Sequence, residues 1–307
     1  MRKILVFILV TVSLSASAQY ITLDTTLVSN IKARITYKPG QDSMAAFFVI
    51  HGIGAVGTDT SKIALFGPHF WLRNSSWDGS VTLGNEVHYP VYITLLLPAK
   101  WVRPKFLKPA INALLARFPQ IRRYARHAMG VSMGSWEWDM YCTYQPTPDD
   151  YSYFTTFQSI VSIQGVGAAR NNPDATLPVP QRYGHWVAHS RKKTGYGSYL
   201  GFEQVNDGRN VWERTTNIND SFPGAAHLIW TNFCEDGNCG KHHSFNRYYD
   251  PSENNWTAKN LLLVNSKTVN KVNYPTQWLA GDQNIYQWAL RQGDTTVSKQ
   301  VPVRKKR

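Results

Sequence analysis

The chain has 307 residues, of which 43% are hydrophobic and 13% aromatic, and its formal charge at pH 7 is +13. This length suffices for one large α/β domain or for two small domains, and this composition excludes a disordered chain. The cations are scattered and accompany no recognisable nucleic-acid-binding module, so we expect no nucleic-acid partner. A basic surface instead favours acidic polysaccharides or anionic cell envelopes as partners.

The first 18 residues have the pattern of a secretory signal peptide. Two basic residues precede an apolar run over residues 4–12, and small residues follow up to Ala18. The run is shorter than the roughly 18 apolar residues that a membrane-spanning helix requires, and no later segment reaches that length. We therefore expect cleavage before Gln19 and a secreted or periplasmic protein without an integral membrane segment.

Predicted strands and helices alternate along the rest of the chain, after a β-hairpin over residues 20–40. The predicted strands cover residues 45–50, 91–101, 126–132, 159–169, 197–207 and 225–233, and the predicted helices cover residues 108–118, 135–142, 211–220 and 284–294. This alternation predicts an α/β fold with a mostly parallel central sheet. Without a repeat or a low-complexity linker, one catalytic domain is expected over residues 19–294, followed by a basic tail over residues 295–307.

A Gly-Val-Ser-Met-Gly stretch, residues 130–134, lies between a predicted strand and a predicted helix. A serine at such a junction is typical of a nucleophile elbow, where glycines leave room for the crowded backbone. A serine hydroxyl attacks a carbonyl carbon only when a base takes its proton and donors stabilise the oxyanion. We predict that Ser132 is a nucleophile; a chance turn with this pattern is the alternative.

The stretch His51-Gly52-Ile53-Gly54 ends an earlier predicted strand, where the second half of an oxyanion hole usually lies. We predict that the backbone amide of Met133 and that of Ile53 or Gly54 point at the developing negative charge. The glycines alone would equally fit a tight turn. The ring of His51 is predicted to be structural and to form a local hydrogen bond.

The general base is expected late in the chain. Of the nine histidines, only His242 and His243 occupy a loop directly beyond a late predicted strand. Asp207, in an Asn-Asp-Gly turn after an apolar strand, is the predicted acid that would orient the imidazole. Glu203, within the strand pattern, and Asp236, in a turn near the histidines, are the alternatives. The order serine, aspartate, histidine along the chain is that of α/β hydrolases.

The three cysteines are Cys142, Cys234 and Cys239. Export permits disulfides, and Cys234 and Cys239 can close a small glycine-containing loop, which leaves Cys142 unpaired. A metal site built with His242 and His243 is the alternative, but zinc ligand sets normally include a second pair at a defined spacing. We therefore predict neither a metal nor a cofactor.

Several of these stretches resemble a family of bacterial carboxylesterases. The segments FFVIHGIGAVGTDTS, GVSMGS, VSIQGVGAA and HHSFNRYYDP resemble those of polyhydroxybutyrate-depolymerase-like and feruloyl- or acetylxylan-esterase-like proteins. The resemblance implies an α/β-hydrolase fold with helices on both faces of the sheet. It also implies that His242 is the base, because Phe245 follows it by three residues and Tyr249, Asp250 and Pro251 come next.

The chain departs from the family pattern in three places. Lys241 separates Gly240 from His242, which keeps His243 open as the base. Ser135 stands where many members of the family have another glycine, and residues 252–283 resemble an insertion before the closing helix. Such insertions surround the site and set the substrate class, which the sequence leaves open together with the oligomeric state.

The leading hypothesis is a secreted serine carboxylesterase with a Ser132–Asp207–His242 triad, acting on esters that include polysaccharide-linked acyl groups. A peptidase or an acyltransferase with the same triad is the competing enzyme class, because the fold does not determine the reaction. The third hypothesis is a non-catalytic protein that binds carbohydrate or the cell envelope and retains the hydrolase fold.

Overall fold

The computed structural model describes residues 20–147, 149–165, 198–204, 215, 218, 226–231, 234–235, 238–239, 242, 245–253 and 284–292. The predicted signal peptide, most of the predicted helix over residues 211–220, the insertion from residue 254 onward and the basic tail lie outside these residues. No helix in the described part of the chain is both long and apolar enough to cross a membrane.

The described elements follow the predicted alternation. The strands are β1 (Ile21–Thr26), β2 (Lys32–Tyr37), β3 (Met44–Ile50), β4 (Val81–Leu83), β5 (Glu86–His88), β6 (Val91–Leu96), β7 (Ile121–Val131), β8 (Ser159–Ile163), β9 (Ser198–Gln204), β10 (Ala226–Thr231), β11 (Cys234–Glu235) and β12 (Asn238–Cys239). The α-helices are α1 (Pro68–Asn74), α2 (Pro104–Arg117), α3 (Met133–Cys142), α4 (Phe245–Tyr248) and α5 (Ile285–Arg291). Short 3₁₀ turns cover Val28–Asn30, Ile53–Ala55 and Thr60–Ala64.

Eight of these strands form one sheet in the order β1-β2-β6-β3-β7-β8-β9-β10. Strand β2 is antiparallel to β1 and β6, and all other neighbours pair in parallel. Numbered along the chain within this sheet alone, the strands have the order 1-2-4-3-5-6-7-8. This order, with an antiparallel second strand, is that of the α/β-hydrolase fold, so the predicted fold class is confirmed.

The sheet is buried on both faces because helices cover each side. Along β3, Phe48 belongs to a buried cluster that includes residues of α2 and α3, whereas Phe47 belongs to a second cluster that includes residues of α5. Side chains of a strand alternate between its two faces, so both faces must be apolar here. This double burial explains the continuous apolar run of β3.

Several element boundaries differ from the predicted ones. Strand β6 ends at Leu96 instead of residue 101, and β8 ends at Ile163 instead of residue 169. Strand β7 begins at Ile121, five residues before the predicted start, because exposed charged residues in its first half hide the apolar pattern. Helix α2 begins at Pro104 rather than residue 108, since a proline is well accommodated in the first helical turn. The hairpin β4–β5 and helix α1 were not predicted.

Two glycines permit the close crossing of α3 over the strands beneath it. A Cβ added to Gly134 would lie 2.1 Å from the carbonyl oxygen of Ile50 in β3. A Cβ added to Gly130 would lie 2.4 Å from the backbone carbonyl carbon of Gly134 and from the backbone nitrogen of Ser135. Both clashes involve backbone atoms, so no side chain could rotate to relieve them. The glycines of the Gly-Val-Ser-Met-Gly stretch are therefore required by packing.

We expect Gly134→Ala to destabilise the protein by about 3 kcal/mol or more, because α3 must move away from β3 to accommodate the methyl group. Gly54→Ala is the matched control, since a Cβ there would meet nothing within 4 Å. Denaturant unfolding of both purified variants measures the difference. Equal stability of the two variants would contradict this account of the crossing.

Candidate active site

Ser132 occupies the sharp turn between β7 and α3. Its backbone has φ 52° and ψ −115°, a region that non-glycine residues rarely adopt. The turn is held by a 2.8 Å hydrogen bond from the amide of Ser132 to the carbonyl oxygen of Ile163 at the end of β8. Backbone strain of this kind costs about 1–3 kcal/mol and persists only where the surroundings enforce it. The hydroxyl is thereby held at the carboxyl edge of the parallel strands.

His242 lies directly against this serine. Its Nε2 is 2.8 Å from Oγ of Ser132, although the two residues are 110 positions apart in the sequence. The imidazole packs edge-on against the ring of Phe245, with centroids 5.2 Å apart and an interplanar angle of 78°. A neutral imidazole at this distance can accept the hydroxyl proton, which is the geometry that a general base requires.

Asn246 anchors the segment that follows His242 to the loop before α1. Its side-chain amide donates to the carbonyl oxygen of Leu65 at 3.0 Å and accepts from the amide of Gly67 at 3.1 Å. Its backbone carbonyl accepts from the indole nitrogen of Trp71 at 2.8 Å. These three bonds join positions about 180 residues apart. The sequence analysis missed this residue, because a single asparagine after an aromatic carries no distinguishing pattern.

The loop after β3 lies beside the serine. A Cβ on Gly52 would be 3.4 Å from Cβ of Ser132, so the two backbones are in close approach. The 3₁₀ turn Ile53–Ala55 follows, closed by a 3.1 Å bond from the amide of Ala55 to the carbonyl oxygen of Gly52. Within the described part of the chain, no acceptor takes the amide protons of Ile53, Gly54 or Met133. Amides in the first turn of a helix generally lack an intrahelical acceptor, so the oxyanion hole stays a prediction.

The His51 ring is buried. Its Nε2 donates to the carbonyl oxygen of Ile63 at 2.9 Å, which fixes the ring locally. Burial lowers the pKa of His51 to about 4, so the ring is neutral at pH 7. This environment agrees with the structural role expected for it.

The predicted acid cannot be located among the described residues. Asp207, its alternative Asp236 and the second histidine, His243, all lie outside them. Glu203 is described only in its backbone, as part of β9. The structure therefore brings together Ser132, His242 and the loop after β3, while the position of the acid stays a prediction.

The three cysteines lie in two parts of the described chain. Cys142 is a free thiol buried on α3. Cys234 and Cys239 are partners in the backbone register of the β11–β12 hairpin, and the disulfide between them stays a prediction. Across the described ranges, no group of three His, Cys, Asp or Glu side chains could hold a metal ion.

Glu137, five residues after the serine, is a second feature that the sequence analysis missed. Its side chain is fully buried, and its Oε1 accepts a 2.8 Å hydrogen bond from the amide of Val102 in the loop after β6. Burial raises the pKa of Glu137 to about 8, although the Val102 amide acts in the opposite direction. Acidic residues within a largely apolar and aromatic helix, here Glu137 and Asp139, are the signal that could have revealed it.

The contribution of Glu137 to the stability of the protein should therefore fall as pH rises between about 4.5 and 8. The folded state holds the Glu137 proton more tightly than the unfolded chain does. The stabilisation is thus fully present below the unfolded pKa and is lost as pH rises through the folded pKa. Thermal unfolding across this range should show a smaller loss of Tm in Glu137→Gln than in the wild type. Asp42→Asn, at an exposed position, is the control and should follow the wild type; an unchanged slope in Glu137→Gln would refute the assignment.

Comparisons with solved structures return esterases at low identity. A thermostable esterase is 14% identical with a TM-score of 0.47, over 75% of this chain and 60% of that chain. One of two fungal esterases from Rhizomucor miehei is 16% identical with a TM-score of 0.44, over 74% of this chain and 77% of that chain. An acetyl xylan esterase from Aspergillus awamori is 11% identical with a TM-score of 0.44, over 66% of this chain and 80% of that chain.

The comparisons do not assign the chain to a protein family. No protein-family model and no curated protein matches the chain. The chain spans 60% of the thermostable esterase and 38% of an acylaminoacyl peptidase. The assignment of the fold therefore depends on the strand order.

Proposed function

We propose that this protein is a secreted serine hydrolase that cleaves carboxylic ester bonds through an acyl-enzyme intermediate. The observation that carries the proposal is the 2.8 Å approach of His242 Nε2 to Oγ of a strained elbow serine, Ser132. A buried serine hydroxyl placed only for packing would need neither a rare backbone conformation nor an imidazole from a distant loop. Both are what an activated nucleophile requires.

The reaction begins when Oγ of Ser132 attacks the carbonyl carbon of the ester while His242 takes the hydroxyl proton. The tetrahedral oxyanion is stabilised by the amides of Met133 and of Ile53 or Gly54. The bond to the alcohol then breaks, and His242 returns the proton to the leaving oxygen. Water attacks the acyl-enzyme by the same route, which releases the carboxylic acid and restores the serine.

Asp207 is the proposed third member of the triad. A carboxylate that accepts from Nδ1 of His242 would select the tautomer whose Nε2 is free to take the serine proton. It would also stabilise the imidazolium that forms during the attack. Export follows from the signal-peptide pattern of the first 18 residues.

Ser132→Ala and His242→Ala should each reduce kcat/KM on p-nitrophenyl acetate by about 10⁴-fold or more, because each removes a member of a unit that acts together. His243→Ala should retain most of the activity, since two adjacent loop residues point in different directions. Ser76→Ala, at an exposed position in the loop after α1, is the control for the serine. Tm values of all four variants establish that they are folded.

Peptide p-nitroanilides and acyl-acceptor alcohols, tested in the same series, separate the three reactions that this site could perform. Preferential turnover of the anilide would indicate a peptidase, and preferential transfer to the alcohol an acyltransferase. Undiminished ester hydrolysis by folded Ser132→Ala would reject the proposed mechanism. If His243→Ala loses activity and His242→Ala does not, His243 is the base instead of His242.

A further inference from the structure

Two tryptophan side chains contact each other near the start of α3. The rings of Trp101 and Trp136 have centroids 4.8 Å apart and meet edge to face at 78°. Trp136 is in the first turn of α3, and its amide donates to the carbonyl oxygen of Ser132 at 3.3 Å. Helical side chains lean towards the N-terminus of their helix. The ring of Trp136 is therefore directed to the end of α3 that carries the serine.

The loop that carries Trp101 is held against the site from two sides. The amide of Gly57, in the loop after β3, donates to the carbonyl oxygen of Leu97 at 2.8 Å. The amide of Val102 donates to Glu137 on α3, also at 2.8 Å. Strand β3 separates β6 from β7, so the ends of β6 and β7 are about 10 Å apart at the same edge of the sheet. We call Trp101 and Trp136 the tryptophan pair.

Core packing does not account for the position of Trp101. The residue is 46% exposed, whereas core aromatics such as Trp138 and Trp288 are 0% and 1% exposed. It also has φ 58°, a conformation that is unfavourable for a bulky side chain. A large exposed ring with a strained backbone, in contact with a ring one helical turn from Ser132, is typical of a ligand contact.

The charge around the tryptophan pair limits what this ligand can be. The segment over residues 97–117 contains Lys100, Arg103, Lys105, Lys108 and Arg117 and has no acidic residue. Lys100 and Lys105, which flank Trp101 along the chain, are both exposed. Such a surface repels cationic ligands and attracts anionic ones. The ligand should therefore combine a flat apolar ring face with negative charge.

We propose that the tryptophan pair and the exposed lysines beside it form a subsite for an O-acylated anionic polysaccharide. A sugar ring of the chain stacks its C–H face on Trp101, and acid groups of neighbouring sugars meet Lys100 and Lys105. The acyl group of the same chain then reaches Ser132, because Trp136 is only one helical turn from it. This inference rests on the proposed function, and it adds the substrate class.

Kinetics on three esters test the subsite. We expect Trp101→Ala to reduce kcat/KM on O-acetylated polygalacturonate by about tenfold, while its activity on p-nitrophenyl acetate stays near that of the wild type. Val87→Ala is the control, because this side chain is 40% exposed in β5 and lies outside the pair. The double variant Lys100→Gln/Lys105→Gln should lose activity on the anionic polysaccharide but not on neutral O-acetylated glucomannan, and added salt should have the same selective effect.

Affinity electrophoresis of Ser132→Ala with unacylated polygalacturonate separates this inference from the proposed function. If Ser132→Ala binds polygalacturonate and the double variant Ser132→Ala/Trp101→Ala does not, the subsite is supported. This holds even if the wild type hydrolyses no ester, and in that case only the proposed function fails. Ester hydrolysis with binding that does not depend on Trp101 overturns the subsite alone. Equal losses of Trp101→Ala on all three esters, or a preference of the wild type for the neutral polysaccharide, would also overturn it.

Discussion

The close crossing of α3 over β3 is the constraint on which the rest of the site depends. Gly134 touches the carbonyl of Ile50, and Gly130 lies under the first turn of the same helix. A helix that starts this close to the sheet forces Ser132 into its strained turn. The same approach brings the loop after β3 beside the serine, so one packing contact arranges both the hydroxyl and the neighbouring amides.

Around this contact, three loops from distant parts of the chain are fixed by a few hydrogen bonds. Asn246 joins the segment after His242 to the loop before α1, and Glu137 joins α3 to the loop after β6. Glu137 is on the helix that follows the serine, and Asn246 is on the helix whose Phe245 packs against His242. Loops at the carboxyl edge of a parallel sheet carry the chemistry in such folds, and here polar side chains from helices set their positions.

The fold could be predicted because buried strands have recognisable local sequence patterns, as in the continuous apolar run of β3. The boundaries of some elements were harder to predict from the sequence. Strand β7 begins with exposed arginines, and the strands of the hairpin β4–β5 are too short to show an alternation of polar and apolar residues. At the site, the glycines around Ser132 and the order of motifs indicated a pairing with His242 or His243, and the resemblance to carboxylesterases favoured His242. The bonds of Asn246 and Glu137 join residues far apart in sequence, so no local pattern could reveal them.

The central claim is that Ser132 forms an acyl-enzyme with the help of His242. Rapid acid quenching of the wild-type protein with excess p-nitrophenyl acetate, followed by peptide mass spectrometry, tests it most directly. The account predicts one acetyl group on the peptide that contains Ser132, and none on that peptide in His242→Ala. Turnover with no acetyl group on Ser132, or acetylation of Ser132 at an undiminished rate in His242→Ala, would contradict it.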